Sequence, residues 1–76
     1  MPVASVIVES LPGAAAHTGA SLTAMAGVSV YGIKEDQIVT VIEADSPAVI
    51  DLVMRQIKAM TNVIGLYPVY VGGYED

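Results

Sequence analysis

The apolar residues of this chain fall into six short runs whose spacing switches between two periods, in the order strand, helix, strand, strand, helix, strand. Few folds accept that order. Residues 3–9 (VASVIVE) are rich in β-branched side chains and predict a first strand. Leu11, Pro12 and Gly13 break it. Residues 14–26 are alanine-rich and predict a helix, with Ala15, Thr18, Leu22 and Met25 as its inner stripe and Gly19 as a weak point. Gly27 stands where a C-cap glycine is expected. Residues 28–33 and 37–44 (QIVTVIEA) predict two strands joined through the polar turn Lys34-Glu35-Asp36, an antiparallel hairpin. Ser46 and Pro47 supply an N-cap and a first helical residue. Ile50, Val53, Met54, Ile57 and Met60 then recur on one helical face, with Asp51, Arg55 and Lys58 off it. Thr61-Asn62 ends that helix, residues 63–71 form a final strand, and residues 72–76 are a polar tail.

The β-α-β-β-α-β order with right-handed crossovers predicts an α+β, ferredoxin-like domain spanning residues 1–76. Its four-stranded antiparallel sheet carries both helices on one face, with the first and third strands central. Pro68 agrees, because a proline cannot donate to a central ladder and its strand is expected at an edge. With 54% hydrophobic and 14% charged residues the chain is too apolar to be disordered. The core must be built from aliphatic side chains, since the only aromatic residues are four tyrosines.

Two helices cover one face of such a sheet, and a face left to water alternates polar residues. Here both alternate sets are mainly apolar: Ala4, Val6 and Val8 against Val3, Ser5, Ile7 and Glu9, and Ile38, Thr40 and Ile42 against Val39, Val41 and Glu43. The set holding Ser5, Ile7, Glu9, Val39, Val41 and Glu43 is expected to face outward, since its two carboxylates would otherwise point into the core. An apolar face of that size marks a binding surface, for a second copy in a homodimer or for another partner.

The remaining residues argue against catalysis. His17 is the only histidine and there is no cysteine, which excludes thiolate metal sites and disulfides. No cofactor is expected. Glu9, Glu43 and Asp45 sit at strand ends, where carboxylates are usually just solvated, and Ser5, Ser10 and Ser21 have no evident triad partners. Net charge is −5, with only Lys34, Arg55 and Lys58 as bases, too few to neutralise phosphates, so nucleic acid is not an expected partner and a cationic one is. No run approaches the roughly 18 apolar residues of a membrane span and no secretory signal is evident, so a cytoplasmic setting is expected.

Taken together, VIVESLP, MAGVSVYGIKEDQIVTVIEAD and TNVIGLYPVYVGGYED resemble the NapD family of periplasmic nitrate reductase assembly chaperones over nearly the full length. The resemblance rests most on Gly27-Val28, on the hairpin ending Ile42-Glu43-Ala44 and on the closing strand with Val69-Tyr70 and acids after it. It implies a cytoplasmic chaperone that binds the twin-arginine signal peptide of a molybdenum-dependent reductase precursor while its cofactor is inserted. The expected contacts are Ser5, Ile7, Glu9, Val39, Val41 and Glu43, with Glu9 and Glu43 flanking the apolar platform and meeting the basic end of the peptide. Residues 13–20 are smaller and richer in alanine than is typical of the family, and little precedes the first strand. A stand-alone amino-acid-sensing domain like the effector part of Lrp/AsnC regulators, or a homo-oligomeric structural domain, fits the same pattern.

Overall fold

In the computed structural model, which describes residues 1–73, the first strand β1 (Val3–Ser10) runs between two antiparallel partners. It is followed by α1 (Ala15–Thr23), the hairpin β2 (Val28–Lys34) and β3 (Gln37–Glu43), then α2 (Pro47–Lys58) and β4 (Val63–Gly72). The sheet order β2-β3-β1-β4 puts β1 and β3 at the centre and β2 and β4 at the edges. Pro68 therefore lies on an edge strand, as its chemistry demands. Of the polar tail, Tyr74, Glu75 and Asp76 lie outside the described residues.

Alternation in β1 is strict: Ala4, Val6, Val8 and Ser10 are buried, and the residues between them are partly open. The buried set meets Ile38 and Ile42 of β3, Leu22 of α1 and Ile50, Val53 and Ile57 of α2 in one core, so both helices cover the same face. Leu22, Ile38, Ile42, Ile50 and Ile57 are fully buried, and each contributes about 1.5–3 kcal/mol by leaving water. Polar groups on this side are paired. Ser10 and Thr18 share a buried hydrogen bond of 3.1 Å that ties β1 to α1, and Thr40 Oγ1 donates to the Ile38 carbonyl at 3.2 Å.

The second helix follows its sequence signals closely. Ser46 accepts the Val49 N–H at 3.3 Å, Pro47 occupies the first turn, and Arg55 and Lys58 sit in the last turn, where the helix dipole favours cations. The first helix is shorter than expected, ending at Thr23 rather than Ala26, and Gly27 is not its C-cap: Ala24 caps it in an ordinary right-handed conformation. Gly27 instead turns the chain into β2 with φ +77°, and its carbonyl accepts the Glu43 N–H at 2.8 Å. A Cβ there would collide with the Glu43 carbonyl oxygen, which is why only glycine fits. Gly19, a weak point by propensity, is a packing device: Ile33 Cδ1 comes to 3.0 Å of where its Cβ would be. The hairpin turn is tighter than its sequence suggests. Lys34 pairs with Gln37, leaving a two-residue loop in which Glu35 takes φ +57°.

Candidate functional site

The face of the sheet turned away from the helices carries Ser5, Ile7, Glu9, Val39, Val41 and Glu43, the set expected to point outward. The ladder pairs Ser5 with Val41 and Ile7 with Val39, so four of the six form one block across the two central strands. Val39 is 38% exposed, and Ile7 and Val41 are half-buried by their neighbours, with no element of the described chain laid over them. Residues this apolar on a sheet surface favour removal from water.

The two carboxylates do not share an end. Glu9 pairs with Gln37, and Glu43 with Val3, six residues further along the same ladder. At a rise of about 3.3 Å per residue they stand roughly 20 Å apart. They flank the platform, as the sequence predicts, but they cannot both meet one pair of adjacent basic residues.

Alternation in the sequence could not have placed Tyr67 and Tyr70. Three residues apart, they belong to opposite faces of a regular strand. In β4, however, Tyr67 pairs with Ile7 and Tyr70 with Ser5, while Pro68 pairs with Val6 and Val69 is the extra residue of a bulge. The bulge resets the alternation and brings both rings to the open face. Proline inside a strand was the available signal, since it favours edges and bulges.

Each ring lies along the strand over a glycine two residues away. A Cβ at Gly65 would strike the Tyr67 ring, and one at Gly72 the Tyr70 ring. Gly65 is thus a recess within β4, opposite Glu9. The Tyr67 hydroxyl donates to Glu9 Oε1 at 3.3 Å. The rings point away from each other along β4, toward its two ends, and the Ile7–Val39 and Ser5–Val41 pairs continue the apolar surface beside them.

Elsewhere the described residues offer little chemistry. His17 is exposed on α1 and borders a depression with Thr18 and Met60. Among the described residues no three His, Asp or Glu side chains gather to hold a metal ion, and no helix is long and apolar enough to cross a membrane.

Comparison with known proteins agrees with this geometry. A search of curated proteins finds no match. Among solved structures, the solution structure of the E. coli Tat proofreading chaperone protein NapD superposes with a TM-score of 0.85 at 20% sequence identity, covering 96% of this chain and 79% of that one. At that identity the likeness speaks for the fold. The family itself follows from a family model: residues 1–72 match that of the NapD protein, and the chain belongs to the NapD family.

Proposed function

We propose that this chain is a cytoplasmic assembly chaperone that binds the twin-arginine signal peptide of the periplasmic nitrate reductase catalytic subunit while the cofactor is inserted and before export. The observation that carries the reading is the uncovered apolar sheet face, floored by Ile7, Val39, Val41, Tyr67 and Tyr70 and bordered by carboxylates. A signal peptide offers a hydrophobic stretch and two adjacent arginines. Docked as a helix, it would bury the first on the sheet and pair the second with a carboxylate in fork-like geometry. The net charge of −5 draws such a cation in. Membership of the NapD family, and the E. coli relative's description as a Tat proofreading chaperone, support the same role. No step of this role asks for catalysis or a bound cofactor.

The test is a titration of isotopically labelled protein followed by amide NMR shifts. A twin-arginine peptide should shift Ser5, Ile7, Val39 and Val41 and leave the outer side of α2 unmoved. Shifts induced by a free amino acid in a stable oligomer would favour the effector-sensing reading. Concentration-dependent shifts on the same face without any ligand would make a second copy its occupant.

A further inference from the structure

Resting on that reading, we propose that the bound helix has a fixed polarity, its paired arginines at the Glu9–Tyr67 end of the open face and its apolar run extending toward Glu43. The two ends differ in what they offer a guanidinium. At one, the Tyr67 hydroxyl holds Glu9 Oε1 at 3.3 Å, and among the described residues Oε2 has no partner. The ring beneath it is kept flat by the missing side chain of Gly65 and presents its surface outward. An arginine needs that combination: a carboxylate to pair with and an aromatic plane to lie on. Glu9, Glu35 and Asp36 outnumber the two bases at this end, Lys34 beside the β2–β3 turn and Lys58, which borders a depression with Gly65.

At the other end Glu43 is exposed, and its ladder neighbour across β1 is Gly72. Asp45 adds a second acid, bordering the same depression as Glu43. Among the described residues no ring is held against a carboxylate there. The roughly 20 Å between Glu9 and Glu43 equals about 13 residues of helix, room for a hydrophobic stretch lying along the central strands.

The experiment uses a synthetic peptide with two adjacent arginines followed by about 13 leucines and alanines, carrying a nitroxide beside the arginines. Binding to the intact protein should bleach the amide signals of Glu9, Gly65 and Tyr67 and spare those of Val3 and Glu43. Glu9→Gln should weaken binding about tenfold and Glu43→Gln less than about twofold. The Glu9→Gln penalty should vanish when both peptide arginines are replaced by glutamine, which a merely structural role for Glu9 would not produce. Bleaching at Val3 and Glu43 instead would overturn the polarity and leave peptide docking intact. Failure of the unmodified protein to bind the peptide would remove the chaperone reading itself, and the polarity with it.

Discussion

Replacing Tyr70 by threonine isolates what the open face contributes to binding. Tyr70 is 59% exposed in the free chain. A tyrosine side chain buries about 150–250 Å2 when fully enclosed, so a helix laid across the face would take roughly 100 Å2 of this ring out of water. At about 25 cal/mol per Å2 that is about 2.5 kcal/mol, or a 30- to 100-fold rise in Kd on its loss. Threonine keeps strand propensity, and an exposed site of this kind should cost less than about 1 kcal/mol of folding stability. The matched control is Leu52→Gln. Leu52 is 49% exposed, but it sits on α2, which packs against the opposite face of the sheet, so its removal should change Kd by less than about twofold. Calorimetric titration with a twin-arginine peptide measures the affinities, and thermal unfolding checks the fold. Equal losses for the two variants, or wild-type affinity for Tyr70→Thr, would refute the assignment of the sheet face as the docking surface.

Four further substitutions test the fold that presents this face. Gly27→Ala should cost about 3 kcal/mol, combining the left-handed φ with displacement of the Glu43 carbonyl, whereas Gly13→Ala, at a similar φ of +81° in open space, should cost about 1 kcal/mol; chemical denaturation separates the two. Ile57→Ala should lose about 2–5 kcal/mol through a cavity beneath α2 and lower Tm by about 8–40 °C. Glu35→Gly should raise stability by about 0.5–1 kcal/mol, since it relieves a left-handed backbone at the hairpin turn, and an unchanged Tm would count against that strain.

The elements were legible because local signals and tertiary demands agree: Ser46-Pro47 starts α2, Ile50, Val53 and Ile57 turn inward together, and the strict alternation of β1 separates core from open face. What escaped the sequence depends on contacts between distant residues. Gly27 reads as a helix cap until Glu43 is seen against it. The separation of Glu9 from Glu43 is a matter of ladder register, which neither strand encodes alone. Tyr67 and Tyr70 share a face only because Val69 bulges out, a backbone irregularity that a count of two along the chain cannot anticipate.

The irregular outer strands have a consequence for how such a molecule survives in a crowded cell. A protein that keeps one side of its sheet bare and oily risks recruiting further strands at its margins and growing into fibrils. Here both margins are broken. The ladder of β2 is interrupted between Val30 and Gly32, and β4 departs from regular pairing twice and carries Pro68 between. An incoming strand would find mismatched hydrogen-bonding groups along either side. Stickiness is thereby confined to the flat of the sheet, where a helix can lie but a growing stack of strands finds no template.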